Sequence, residues 1–160
     1  MEHDLIRHLG YANLDSRLKR ISDKMTHSLR AMYKKLDMDV EPSWYLVLFI
    51  LDGAPNSSVM DISQRLKFTH QSIHVMTDKM VAKGYLIKTK DEHDKRKTVF
   101  NLTQKAKQNL PYFTEIWEAG KVATYELLRE DTSIMQHLET LESNLEQKSF
   151  GARIIEKLNP

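Results

Sequence analysis

The sequence predicts a mainly α fold with one small β-hairpin in its middle, and three observations predict it. Apolar residues recur in steps of three and four over most of the 160 residues. Between residues 85 and 102 the period changes to two around a polar loop. Two short helical stretches joined by a tight turn directly precede that loop, and helix, turn, helix and hairpin in this order make a winged helix-turn-helix.

Each element has its own signal. Gly10 and Asn13 interrupt the start of the chain, so Asp4 to Leu9 reads as a separate turn of helix. Leu18, Ile21, Met25, Leu29, Met32 and Leu36 then mark one stripe of a long helix over about 14–36. After Asp37-Met38-Asp39, Pro42 is placed at a first helical position, and Ser43 to Leu51 is apolar almost all round, as a central core helix would be. Asp52-Gly53-Ala54-Pro55-Asn56 ends it. Ser58 and Asp61 form a capping-box pattern opening a two-turn helix with Val59, Ile62 and Leu66 inward. Lys67-Phe68-Thr69 leads into a second helix that buries Ile73, Met76 and Met80 and stops at Gly84.

The hairpin follows, with strands at 85–90 and 97–102 and the loop Asp91-Glu92-His93-Asp94-Lys95-Arg96 between them. Thr103 can cap the next helix, and Pro111 within it predicts a kink or a restart, of which the kink is favoured. Its stripe runs through Phe113, Ile116, Trp117, Gly120 and Ala123 to Leu128 and resumes at Ile134, Leu138, Leu141 and Leu145. Ser149-Phe150-Gly151 is expected to close that last long helix before a short amphipathic tail, 152–158. The chain thus reads as one subunit, 1–160, with a winged lobe at 42–103 and helical regions at 1–36 and 104–160.

Composition narrows the chemistry. Apolar residues make up 41% and charged residues 29%, as in soluble globular proteins. The longest apolar run, Trp44 to Leu51, is far short of the roughly 20 residues of a membrane span, and no secretory signal is visible, so a cytoplasmic address and no membrane partner are expected. The absence of cysteine removes disulfides, thiolate metal sites and cysteine nucleophiles. Of seven histidines (His3, His8, His27, His70, His74, His93 and His137), only His70 and His74 have a spacing that suits a metal, so no metal site is expected and no cofactor motif is present. No nucleophile elbow, phosphate loop or zinc hydrolase signature is found, and no enzyme activity is expected.

Net charge is only +2, but residues 60–100 hold nine Lys/Arg against five Asp/Glu, and residues 101–160 hold seven against nine. The basic segment coincides with the second short helix and the hairpin, as a nucleic-acid footprint would. With Ile73, Met76 and Met80 inward, Gln71, His74, Val75 and Asp78 face out, and Thr69, His70 and Ser72 stand at the helix N-terminus. All of these except Asp78, whose charge would repel phosphate, are candidates for base or phosphate contacts. Lys88, Lys90, Lys95 and Lys97 would add phosphate contacts.

The run Lys79-Met80-Val81-Ala82-Lys83-Gly84-Tyr85-Leu86-Ile87, the loop Asp91 to Lys97 and the closing Leu102-Thr103 resemble the MarR family of bacterial winged-helix transcription factors. The resemblance matches that family's recognition-helix end, its D-x-x-D-x-R wing and its Leu-Thr strand exit. The family often has glycine where this chain has Ala106. The resemblance implies that Arg96 enters the minor groove of double-stranded DNA, positioned by Asp94. It further implies a homodimer built from the N- and C-terminal helices, acting on a pseudo-palindromic operator, and a small aromatic or phenolic effector. Tyr11, Met32, Tyr33, Trp44, Tyr45, Phe113 and Trp117 could line the effector's cavity, the alternative being plain core packing. A winged-helix module that binds protein rather than specific DNA is the competing function.

Overall fold

Asp4 accepts a hydrogen bond from the Arg7 amide at 3.2 Å and so opens α1 (Leu5–His8), the separate helical turn that the sequence predicts. In this computed structural model residues 4–158 are described; Met1, Glu2, His3, Asn159 and Pro160, with the expectations that touch them, lie outside. A 3-10 turn at Gly10–Asn13 leads into α2 (Leu14–Lys35), and an ion pair of 2.8 Å between Arg20 and Asp4 ties α1 to it. The chain divides into two compact units, Met1–Pro111 and Tyr112–Pro160.

In the first unit, α3 (Trp44–Gly53) packs against α4 (Val59–Leu66), α5 (His70–Ala82) and strand β2 (Thr98–Leu102). Val47, Leu48, Leu51, Ile62, Ile73, Met80 and Phe100 are buried there. Burying such side chains contributes about 1.5–3 kcal/mol each, which makes this cluster the main source of the lobe's stability. Two expectations need correction. Pro42 lies in the turn before α3, where the Trp44 amide donates to the Glu41 carbonyl at 2.9 Å; a residue with fixed φ and no N–H suits that turn as well as a first helical position. Nor is α3 buried all round, since Tyr45 and Phe49, one turn apart, are exposed.

The capping box forms as read. Ser58 N–H donates to Asp61 Oδ2 at 2.8 Å, and Asp61 N–H donates to Ser58 Oγ at 3.3 Å. Thr69 Oγ1 accepts from the Ser72 amide at 3.2 Å and starts α5. At its other end Gly84 takes φ +73°, its N–H donating to Val81 O and that of Tyr85 to Met80 O, each at 2.9 Å. This pair of bonds satisfies the last carbonyls and needs a residue that accepts positive φ, which is why the helix stops there.

Strand β1 (Leu86–Lys90) pairs antiparallel with β2, Leu86 opposite Leu102 and Lys90 opposite Thr98. The outer edge of β2 is held too: the Phe100 amide donates to Ser57 O at 2.9 Å, and Asn56 and Asn101 exchange two hydrogen bonds of 2.9 and 2.7 Å. Val99 and Phe100 are both buried, so β2 departs from strict alternation. Below the hairpin, the Tyr85 hydroxyl donates to Asp39, and Lys105 Nζ lies 2.8 Å from Asp39, 3.0 Å from Lys83 O and 4.2 Å from the centre of the Tyr85 ring. This cluster fastens the linker after α2 to the base of the hairpin and the start of α6 (Gln104–Leu127).

Thr103 caps α6 by accepting from the Ala106 amide at 3.2 Å, and the helix runs on through Pro111 without a restart. Ala106 is fully buried. In the second unit, α7 (Ser133–Gln147) and α8 (Phe150–Leu158) follow. Here the expected break moves: Ser149 Oγ accepts from the Ala152 amide at 3.3 Å, so Phe150 and Gly151 begin α8 rather than ending α7. A serine N-cap outweighs one glycine in the first turn. Among the described residues no helix is long and apolar enough to cross a membrane.

Candidate nucleic-acid interface

The outward side of α5 is assembled by what its other side buries. Ile73, Thr77 and Met80 are fully buried and Met76 partly so, which leaves His70, Gln71, Ser72, His74 and Val75 exposed. Thr77 was not among the expected core residues; its hydroxyl is satisfied inside by donating to Ile73 O at 3.0 Å. The Thr69 and Ser72 hydroxyls are 2.8 Å apart, so both are fixed at the helix N-terminus, where backbone N–H groups and the helix dipole favour an anion. His74 Nδ1 is 2.9 Å from Asp78, whose other oxygen faces Lys88 Nζ from β1 at 3.8 Å.

The hairpin tip is built by two aspartates. Asp91 Oδ1 accepts from the His93 and Asp94 amides, both at 2.9 Å, and Asp94 Oδ1 accepts from the Arg96 amide at 3.0 Å. The Arg96 guanidinium returns to the same carboxylate, Nε at 3.1 Å and the terminal nitrogen at 3.4 Å. Its side chain is nonetheless 93% exposed, so the pair orients Arg96 without hiding it. Both carboxyls are held below the usual range, Asp91 by the Asp94 and His93 amides and Asp94 by the Arg96 side chain and then its amide.

The lysines differ in their surroundings. Lys95 is exposed at the tip, and Lys90 lies 3.4 Å from Thr98 Oγ1. Lys97 is engaged by Asp61 at 3.1 Å. That carboxylate is lowered from its ordinary 3.8 to about 2 by the Ser58 hydroxyl and amide and then by Lys97.

Residues 38–97 match the model of the MarR family. Over those residues the winged helix is similar to the MarR family. The MarR-type fold extends beyond the matched segment. The transcriptional repressor CouR, solved bound to a 23-mer DNA duplex, is 21% identical, with 84% of this chain and 96% of that one covered at a TM-score of 0.69. The MepR–DNA complex of S. aureus is 16% identical over 82% and 97%, TM-score 0.71, and a MarR/EmrR family regulator from Acinetobacter sp. ADP1 is 17% identical over 91% and 100%, TM-score 0.69. At these identities the likeness is one of fold. No curated protein matches by sequence.

The residues read as an effector pocket fall in both units, Tyr11, Met32, Tyr33, Trp44 and Tyr45 in the first and Phe113 and Trp117 in the second. Tyr11 is 94% exposed, Tyr33 and Trp44 are buried, Met32 is half-buried and Tyr45 is exposed. In the second unit Phe113 is buried and its ring centre is 6.1 Å from that of Trp117. A cavity of about 500 Å³ in the first unit is lined by Arg30, Glu41, Trp44, Gln71, Ser72 and Val75 among others. Trp44 is the member of the expected set that lines it. Arg30, Glu41 and Lys79 were missed because the cavity joins three elements and leaves no local pattern. Asp78 was set aside for its charge, although its spacing of four from His74 was a readable sign of a pair. Among the described residues no group of three or more histidines or acids can hold a metal.

Proposed function

We propose that the chain is a sequence-specific DNA-binding transcriptional regulator that acts as a homodimer on a pseudo-palindromic operator and responds to a small ligand. The observation that carries this reading is Arg96: a guanidinium braced by Asp94 on an ordered tip yet 93% exposed. Such a group, entering a narrow minor groove, gains from the groove's focused negative potential. The exposed face of α5 offers Gln71 and His74 for base edges and Thr69, His70, Ser72 and Val75 around them, while Lys88, Lys90, Lys95 and Lys97 supply cations along the hairpin. The solved DNA complexes of CouR and MepR, which share the fold, support the same assignment.

The dimer is supported by the α2 stripe. Ile21, Met25, Leu29 and Leu36 are 37–48% exposed in the single chain, an apolar line that a second copy would cover. Two recognition helices related by a two-fold axis would then meet half-sites about one helical turn apart. For the ligand, the 500 Å³ cavity has the size of a small-molecule site and reaches Gln71, Ser72 and Val75 on the DNA-facing helix. Arg30 pairs with Glu41 there at 2.9 Å, so an aromatic or phenolic carboxylate could take Glu41's place. To act as an effector it must prefer one spacing of the recognition helices.

The test is selection of random duplex DNA on the purified protein at low and physiological salt, with Arg96→Ala as control. An enriched two-fold-symmetric site, weakened in the variant, is the expected result. No enrichment by a folded, dimeric protein would move the assignment to a protein-binding winged helix.

A further inference from the structure

His74 and Asp78 lie one turn apart on the exposed side of α5, the imidazole Nδ1 2.9 Å from a carboxylate oxygen. An ionised carboxylate can only accept hydrogen bonds, so a neutral imidazole held against it carries its proton on Nδ1. The other nitrogen, Nε2, then keeps a lone pair and no hydrogen. Lys88 on β1 faces the second Asp78 oxygen at 3.8 Å and offsets its charge, which lets an acid stand on a helix that meets phosphates. The histidine side chain is 59% exposed.

The geometry points to a specificity-determining pair in which Asp78, as a positioning residue, sets the tautomer of His74 so that Nε2 reads the major groove as an acceptor. This rests on the DNA-binding reading above. An acceptor there selects the amino donors, adenine N6 or cytosine N4. Facing guanine, whose N7 and O6 both accept, it would leave two acceptors opposed and without a proton between them. Without Asp78 the ring can place its proton on either nitrogen and so serve as donor or acceptor, and the discrimination against guanine goes.

Two measurements test this. Long-range proton–nitrogen NMR of the imidazole rings, with His74 assigned through His74→Gln, should show the Nδ1–H form in the wild type and its loss in Asp78→Ala. A wild-type ring protonated on Nε2 alone would overturn the inference without reference to DNA. Selection of random duplexes should give one position per half-site restricted to adenine or cytosine on one strand. In Asp78→Ala guanine should rise there about tenfold relative to adenine, and in His74→Ala the preference at that position should vanish. Both side chains are on the surface, so circular dichroism should show intact helices in each variant. If a symmetric site is enriched but no position responds to His74, or if Asp78→Ala changes affinity alike for all bases, this inference fails while the regulator reading stands. If the wild type enriches no site, both fail.

Discussion

Lys97, where the hairpin tip runs into β2, pairs at 3.1 Å with Asp61, the carboxylate that closes the N-terminal capping box of α4. The first helix of the helix-turn-helix and the wing are therefore joined through one aspartate, and a cation otherwise suited to phosphate is shared with the fold.

Asp61→Ala should remove the box and the pair together and destabilise the protein by about 1–2 kcal/mol, read from the midpoint of chemical denaturation. Because the folded carboxyl lies below its ordinary value, at about 2, its contribution is complete above about pH 4 and is lost as pH falls toward 2. The variant's acid-unfolding curve should accordingly be flatter than the wild type's across that interval. Superimposable slopes would remove Asp61 from the account of acid stability.

Tyr85 should ionise only above the usual tyrosine range. Burial, followed by the hydrogen bond to Asp39 and that carboxylate's charge, holds its hydroxyl well above the usual tyrosine range. A pKa raised by folding stabilises below the unfolded value, about 10, and that stability is lost as pH rises beyond it. Tyrosinate absorbance should therefore show one group titrating together with unfolding, and Tyr85→Phe should abolish that step. The same variant should cost about 1 kcal/mol, since Asp39 keeps Lys105.

On an enriched operator, Arg96→Ala should lose about 1–3 kcal/mol of binding, whereas Lys95→Ala should weaken all sequences alike and lower the salt slope by about one. Arg96→Lys keeps the charge but not the two-pronged hold on Asp94, so it should restore the slope and not the affinity. Titrations at several salt concentrations separate these outcomes; an Arg96→Lys protein as tight as the wild type would reduce Arg96 to a point charge.

The α2 stripe gives an association test. Met25→Glu, at a position 42% exposed in the single chain, should leave the lobe folded but shift sedimentation toward monomer and weaken operator binding steeply. Unchanged sedimentation would place the contact between copies elsewhere.

What the sequence makes legible here is local. Ser58 with Asp61, Gly84 after Met80, and Asp91, Asp94 and Arg96 within one loop each act over a few residues, so spacing reveals them. The cluster of Asp39, Tyr85 and Lys105 spans separations of 46 and 66 residues, and the Asn56–Asn101 pair 45; no period encodes such partners. Phe49 misled for another reason: composition shows that α3 is apolar but not which side has a neighbour. The cavity beside Arg30 and Trp44 was illegible because it belongs to the space between helices.

The side chains of Asp91 and Asp94 hold the backbone of the tip before any partner arrives. Fixing a residue's backbone costs about 1–2 kcal/mol in lost conformational freedom, and here that loss is absorbed when the chain folds. The encounter is left to immobilise little more than one arginine, so a loop that could have been a slack tether meets its target as a finished shape.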